Sequence, residues 1–283
     1  KQNIYAHVLS YQNWLKQCEL FMKEKDSLTF KMAMVVPCYN EEKRFKLESW
    51  NELISATNEV EWIFVNDGST DNTKKLLEEI KKYSSASVIH LPINAGKAEA
   101  LRIGFIEAIS KNCQVMGMID ADDSFKIEEV LKYIKRFQVQ SEWISFGEYY
   151  AAIFMARNTT FKGLLESGIL RRLIGLTISK MNRMAWPQLP KDTQCGFKFF
   201  KRNESFVSAM NQPFLQPWFF EIELLIRCST GTSANLHIRE VSLDFSANVE
   251  GSKTNRLNLL STGKQVIMIF LRIIAFRLRS AIN

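Results

Sequence analysis

Residues 32–42 read Met-Ala-Met-Val-Val-Pro-Cys-Tyr-Asn-Glu-Glu, a short apolar run that ends in a polar cluster. The same order of apolar run and polar cluster returns at 62–71, 87–97 and 115–123. Segments with helical periodicity lie between these runs, at 42–56, 71–83 and 97–110. Runs of Val, Ile and Met are typical of strands buried on both faces, and their alternation with helices is typical of parallel sheets. The sequence therefore predicts an α/β fold in which helices flank a mostly parallel sheet.

The polar clusters stand at the carboxyl ends of the predicted strands, at 37–42, 66–71, 94–97 and 120–123. In open α/β sheets the ligand binds outside the carboxyl ends of the strands, because loops and helix N-termini converge there. We therefore expect these clusters to build one ligand site.

The composition is that of a globular protein, since 46% of the 283 residues are hydrophobic and 24% are charged. This composition excludes a disordered or fibrous chain and fits one domain with appended helices. The net charge of +7 favours anionic partners, yet no zinc-ligand spacing, RNP-like motif or dense basic run indicates nucleic acid. Five widely spaced cysteines without a CxxC pair indicate a reducing compartment. The best apolar run, at 266–276, is broken by Arg272, so we expect no membrane-spanning helix.

Asp120 and Asp122 form the sharpest local motif, because they directly follow the fourth predicted strand. Two carboxylates at positions i and i+2 of a turn suit a divalent cation, Mg²⁺ or Mn²⁺, that also binds a diphosphate. The alternative is a turn cluster that caps the helix beginning near Lys126. The position at a strand end favours the metal site.

Further candidates for a nucleotide site lie in the other clusters. Asp67 is placed to accept a hydrogen bond from a base, although its segment also reads as a tight turn before a capped helix. Lys97 opens a helix, where it either meets a phosphate or base or remains solvated. Tyr39 is a candidate for stacking on a base and Glu41 for holding a ribose hydroxyl. The predicted nucleotide-binding residues are Pro37, Tyr39, Glu41, Asp67, Gly96, Lys97, Asp120 and Ala121.

In this order and spacing, the four clusters resemble the motifs of family 2 glycosyltransferases. They read Val-Val-Pro-Cys-Tyr-Asn-Glu-Glu at 35–42, Val-Asn-Asp-Gly-Ser-Thr-Asp-Asn-Thr at 65–73, Asn-Ala-Gly-Lys-Ala-Glu-Ala-Leu-Arg-Ile-Gly at 94–104 and Asp-Ala-Asp-Asp at 120–123. Each motif is weak alone, whereas the series is specific. The resemblance implies the Rossmann-like GT-A fold and an inverting hexosyltransferase that uses a nucleotide-diphosphate sugar with a divalent cation.

The second half of the chain resembles the polyprenyl-phosphate branch of that family, and its motifs are most similar to those of dolichyl-phosphate β-glucosyltransferases. The matching segments are Asp-Thr-Gln-Cys-Gly-Phe-Lys-Phe-Phe at 192–200, Trp-Phe-Phe-Glu-Ile-Glu-Leu-Leu at 218–225 and Val-Glu-Gly-Ser-Lys at 249–253. The resemblance implies transfer of glucose from UDP-glucose to a polyprenyl phosphate. It makes Asp192 an orienting residue or base, lets Glu221 shape the same pocket and lets Lys253 hold a phosphate. Without the resemblance, Asp192 reads as a turn carboxylate and Lys253 as a solvated loop residue.

One departure from the branch concerns the acceptor. Many of its members carry an arginine after the fifth strand that reaches the acceptor phosphate, whereas this chain reads Gly-Glu-Tyr at 147–149. Arg157, Arg171 and Arg172 are the candidate replacements. The departure bears on the acceptor and leaves the donor fold unaffected.

We divide the chain into an N-terminal segment at 1–30 with an amphipathic helix, a GT-A domain at 31–255 and a basic amphipathic helix at 256–283. Within the domain, 31–125 is the nucleotide-sugar half and 126–255 the acceptor half. The basic apolar stretch at 169–186 and the last helix are typical of helices that lie in a membrane interface. The alternative is that they close the core or a dimer interface. We expect a peripheral enzyme on the cytoplasmic face of a membrane, with a homo-oligomer left open.

Two other functions remain open on the sequence alone. A transferase of the same fold could glycosylate a carbohydrate hydroxyl in polysaccharide synthesis, in which case Asp192 must act as a true general base. A non-catalytic nucleotide-sugar-binding module is the alternative from another class. The carboxylates at 120, 122 and 192 argue against the second, because a pure binder has no use for a metal site beside an acceptor carboxylate.

Overall fold

The computed structural model describes residues 29–122, 124–145, 148–156, 189–215, 220–229 and 236–243, with a few further positions between 180 and 187 and between 267 and 275. The predicted N-terminal helix and most of the predicted C-terminal helix lie outside these residues. Among the described residues, no helix combines the length and the apolar character needed to cross a membrane.

Strands and helices alternate along the first half of the chain, as the sequence predicts. The elements are β1 (Met32–Cys38), α1 (Leu47–Ala56), β2 (Glu61–Asn66), α2 (Thr73–Glu78), β3 (Ala86–His90), α3 (Lys97–Ser110), β4 (Val115–Ile119), α4 (Ile127–Gln138), β5 (Ile144–Ser145), β6 (Glu148–Tyr149), β7 (Ala152–Ala156), β8 (Phe197–Lys201), α5 (Glu204–Ala209), α6 (Phe220–Ser229) and β9 (Ile238–Ser242). Short 3₁₀ helices follow α2 at Glu79–Lys82 and α4 at Gln140–Trp143.

Seven of the strands form one mixed sheet in the order β3-β2-β1-β4-β8-β7-β9. In the first half, β1 pairs in parallel with β2 and β4, and β2 pairs in parallel with β3. In the second half, β8 runs antiparallel to β4 and β7, while β9 runs parallel to β7. Most pairings are parallel, which confirms the predicted α/β class.

Alternating residues of the central strands face two separate apolar layers, because successive side chains of a strand point to opposite faces. Met34 and Phe64 pack with Trp50 of α1 on one face of the sheet. Val35 and Val65 pack with α3 on the other face. Helix α3 lies so close to β1 that a Cβ at Gly104 would stand 2.2 Å from Val35 Cγ1. The sheet is therefore covered on both faces. A ligand site is expected in the loops at the carboxyl ends of the strands.

Several predicted elements differ from the structure, mainly in the second half. The apolar stretch at 143–147 predicts a strand, whereas Trp143 ends a 3₁₀ turn and the described residues that follow form the short β5. The pattern at 236–245 predicts a pair of strands, whereas the described residues of that range form the single strand β9. The strand β7 and the helix α5 were not predicted from the sequence. The helix expected from residue 42 begins at residue 47, after a turn in which Arg44 and Phe45 donate backbone hydrogen bonds to the Glu41 carbonyl.

Candidate functional site

Asp120 stands directly after the buried strand β4, at the carboxyl edge where β1, β2 and β4 end. Its Oδ1 lies 2.5 Å from Nζ of Lys97, the first residue of α3. About a third of each side chain is exposed, so the pair is open to a ligand. Burial disfavours the charged lysine, but the carboxylates of Asp120, Glu221 and Asp122 outweigh it and raise the pKa of Lys97. Lys97 therefore stays protonated at neutral pH, among several carboxylates.

Gly196 lies against the other side of the Asp120 carboxylate. The Asp120 amide donates to the Gly196 carbonyl at 3.1 Å, and a Cβ on Gly196 would stand 2.1 Å from Asp120 Oδ2. Any larger residue at position 196 would displace the carboxylate. The sequence assigned no role to this glycine, although it stands in the Gln-Cys-Gly-Phe segment that carries the family resemblance.

Asp122 is held by a cation that the sequence did not single out. Arg44 Nη1 lies 3.1 Å from Asp122 Oδ2, and Arg44 Nη2 lies 2.5 Å from Glu41 Oε2. Ser124 also donates its hydroxyl to Asp122 Oδ1. Arg44 thereby joins the predicted ribose-binding residue on the β1–α1 loop to a predicted metal ligand on the loop after β4.

Asp67, at the end of β2, organises the loop that leads into α3. Its buried carboxylate accepts from the amides of Ala95 at 2.7 Å and Gly96 at 2.9 Å, and from Asn94 Nδ2 at 3.0 Å. Both carboxylate oxygens are therefore engaged with the chain itself. The predicted contact with a base stays a prediction, and the described role of Asp67 is to shape the Gly96–Lys97 turn.

The β1–α1 and β2–α2 loops are tied together beside this turn. Asn40 has a φ of 50°. Its side-chain Oδ1 accepts from the Thr70 backbone amide at 2.8 Å, and its backbone amide donates to Ser69 Oγ at 3.0 Å. The Glu41 amide donates to Thr73 Oγ1 at 2.7 Å. The loops that carry the predicted nucleotide-binding residues thus form one hydrogen-bonded unit. Pro37 and Tyr39 are half-buried in it, and Ala121 is buried beside Asp120.

Glu221 and Lys198 form a buried ion pair behind the site. Glu221 Oε1 lies 2.9 Å from Lys198 Nζ, and the two side chains are 4% and 0% exposed. Lys198 also donates to the Cys195 carbonyl. The resemblance lets Glu221 shape the pocket that holds the acceptor, and in the structure its carboxylate is buried against Lys198. Its part in catalysis stays a prediction.

Asp192 is half-buried at the start of the turn that leads to Gly196. Its Oδ1 accepts from the Gln194 amide at 3.1 Å, and its own amide donates to Glu240 of β9 at 3.3 Å. These contacts agree with a turn carboxylate and leave its role in transfer a prediction. Arg171, Arg172 and Lys253 lie outside the described residues.

Two carboxylates at the end of a strand fit a divalent cation. Within the described part of the chain, no group of three or more His, Cys, Asp or Glu side chains is arranged around a common metal position. The carboxylates of Asp120 and Asp122 suit Mg²⁺ or Mn²⁺, because these ions retain water and complete their shell with phosphate oxygens. The residues present therefore fit the cation that the resemblance implies.

Comparisons with known proteins find relatives in sequence and in structure. Residues 33–206 match the family described as glycosyl transferase family 2. A dolichyl-phosphate beta-glucosyltransferase of Mus musculus is 31% identical over 90% of this chain and 80% of its own length. One of Trichomonas vaginalis is 30% identical over 78% of this chain and 67% of its own length.

Solved structures share the fold at lower identity. A glucosyl-3-phosphoglycerate synthase of Mycobacterium tuberculosis in complex with phosphoglyceric acid has a TM-score of 0.61 and 22% identity, over 87% of this chain and 80% of that one. The same synthase with Mn²⁺ and UDP-glucose has a TM-score of 0.58 and 19% identity, over 90% and 82% of the two chains.

Proposed function

The chain belongs to glycosyl transferase family 2, and we propose that it transfers glucose from UDP-glucose to a polyprenyl phosphate with inversion at the anomeric carbon. The observation that carries this proposal is the likeness to dolichyl-phosphate beta-glucosyltransferases, which extends over 90% of the chain and so includes both halves of the domain. The charged cluster around Asp120 supports it independently, because the donor of such a reaction is a diphosphate.

The donor end of the site is built from the tied loops. Asp120 and Asp122 would hold the divalent cation, which supplies positive charge to the leaving diphosphate. Lys97 adds a second positive charge beside Asp120, and it stands at the N-terminus of α3, where backbone amides also favour an anion. We assign Tyr39 and Glu41, on the neighbouring loop, to the base and the ribose.

The acceptor end needs little proton chemistry. A phosphate monoester is already an anion near neutral pH, so its oxygen attacks without a strong base and needs chiefly to be positioned. We assign Asp192 to orienting the sugar and the acceptor, and Arg171, Arg172 and Lys253 to holding the acceptor phosphate. An acceptor hydroxyl would instead require Asp192 to remove a proton.

A polyprenyl acceptor places the enzyme at a membrane surface, and we propose peripheral binding to the cytoplasmic leaflet. The net charge of +7 supports attraction to anionic headgroups. Three described positions of the last predicted helix expose apolar side chains, with Ile267 58%, Met268 46% and Leu271 58% accessible. Flotation with vesicles that contain anionic lipid should recover the protein at low salt, and recovery should fall as salt rises. Equal recovery with neutral vesicles would argue against the electrostatic contact.

The test of the function is nucleotide release from a panel of UDP- and GDP-sugars with Mg²⁺ or Mn²⁺, with and without a short polyprenyl phosphate. We expect UDP release from UDP-glucose that rises at least tenfold when the lipid is added. Slow release that ignores the lipid would move the acceptor to a carbohydrate. No release with any donor would favour a binding module.

A further inference from the structure

A charged pair lies inside the apolar core directly behind the site. Lys198 stands in β8 between Phe197 and Phe199, and its partners in the neighbouring strands are Met118 and Phe154. It is fully buried and pairs with Glu221 of α6. A buried ion pair is commonly no more stabilising than two apolar side chains of similar volume, because both ions lose their hydration. Stability alone therefore does not explain a lysine at this position.

The ammonium of Lys198 contacts the turn that leads to the site. It donates to the Cys195 carbonyl and to Glu221 Oε1, and it lies 5.6 Å from the centroid of the Phe154 ring. Cys195 precedes Gly196, whose carbonyl accepts the Asp120 amide. Lys198 thus holds the backbone against which the Asp120 carboxylate rests.

The other partner of the Lys198 ammonium is the Glu221 carboxylate, 2.9 Å away, which supplies its counter-charge. The Lys198 side chain is therefore fixed between α6 and the turn at 195–196.

We propose that Lys198 is a positioning residue for glycosyl transfer, which acts by holding the turn at 192–196 in place behind the donor site. This inference rests on the proposed function. The turn that Lys198 holds carries Asp192 at its start and Gly196 at its end, so it links the acceptor side to Asp120. Loss of Lys198 should therefore slow the transfer step more than it weakens UDP-glucose binding, because the base and ribose loops do not contact it.

The decisive variant is the double substitution Lys198→Met with Glu221→Gln in the full chain, because it removes both charges and leaves no unpaired buried ion. We expect a Tm within a few degrees of wild type, a UDP-glucose KM within about threefold and a kcat lowered by about 50-fold or more. Glu221→Gln alone, which keeps an acceptor for the Lys198 ammonium, should lose much less kcat. The matched control is Lys201→Met, the same change three residues further along β8, which should keep wild-type kcat.

Two kinetic results with these variants would overturn the inference. One is a folded double variant whose kcat stays within threefold of wild type. The other is a Glu221→Gln variant that loses as much kcat as the double variant, since the effect would then belong to the carboxylate alone. If the double variant does not fold, Lys198→Arg takes its place. It keeps the charge but moves the donor atoms, and it should lower kcat at least tenfold at an unchanged KM, whereas wild-type kcat would refute the role.

Hydrogen exchange separates this inference from the proposed function. Amides at 193–196 should exchange at least tenfold faster in the double variant than in wild type, and those of α3 should not change. Wild-type protein without lipid-dependent transfer would refute the function but leave this comparison valid. Unchanged exchange at 193–196 would refute the positioning role whatever the wild-type activity.

Discussion

Gly196→Ala should separate the function of the site from the stability of the fold. The added Cβ would stand 2.1 Å from Asp120 Oδ2 and 2.3 Å from Asp120 Cγ, whereas ordinary contacts begin at 3.4 Å. The Asp120 carboxylate must therefore retreat by about 1 Å, and a misplacement of that size in the groups that position the reactants costs about 100-fold in rate. The carboxylate is the end of a side chain and can rotate, so the free energy of unfolding should fall by only about 1 kcal/mol.

The assay is UDP release from UDP-glucose with Mn²⁺ and a short polyprenyl phosphate, together with thermal denaturation. Gly117→Ala is the matched control, because its Cβ would stand at the same 2.1 Å from Met34 Sδ, in the core beneath the same strand end. It should lower the free energy of unfolding by about 1–3 kcal/mol and leave kcat/KM near wild type. A Gly196→Ala enzyme with kcat/KM within threefold of wild type would show that the Asp120 carboxylate does not need its observed place.

Three further perturbations follow from the described contacts. Asp122→Asn should raise the Mn²⁺ concentration for half-maximal activity at least tenfold at unchanged Tm, and unchanged activity in a metal titration would refute the metal assignment. Lys201 has a pKa lowered by burial from 10.5 to about 8, so its charge costs stability below pH 8 and this cost disappears as pH rises towards 10.5. Lys201→Met should therefore remove the rise in stability between pH 8 and 10, measured by urea titration at each pH; a variant whose stability still rises over this range as in wild type would contradict this. Gly68→Ala should cost about 3 kcal/mol in the same titrations, because its φ is +63° and its Cβ would lie 2.4 Å from the Ile93 carbonyl carbon, and a cost below about 1 kcal/mol would contradict this reasoning.

The first half of the fold was predictable because its signals are local. Apolar runs fixed β1, β2 and β4 to within one residue at each end, and α3 begins and ends where its periodicity predicts. The strand β7 and the reversal at β8 depend on pairings between distant segments, since residues near 153 pair with residues near 199 and 239. The hydrophobic periodicity of a single segment does not show with which distant segment it pairs.

The residues of the candidate site also fall into those that local sequence predicts and those that depend on distant contacts. Asp120 and Asp122 follow from their place after a strand, and Lys97 from its place at a helix start. Arg44 and Gly196 could not be found, because their importance lies in contacts with residues 78 and 76 positions away, at Asp122 and Asp120. Glu221 was found by resemblance, but its burial against Lys198 is visible only in the structure. The candidate ligand-binding residues stand at strand ends, whereas the residues that hold them in place are visible only in the fold.

The most direct test of the proposed function is the identity of the product. UDP-glucose labelled in the sugar, incubated with Mn²⁺ and a short polyprenyl phosphate, should transfer its label to an organic-soluble lipid that carries a single glucose. Because the donor is α-linked and the proposed reaction inverts, proton NMR of that product should show a β-configured glucosyl phosphate. Label that stays in water-soluble products, or a lipid-linked glucose in the α configuration, would contradict this account.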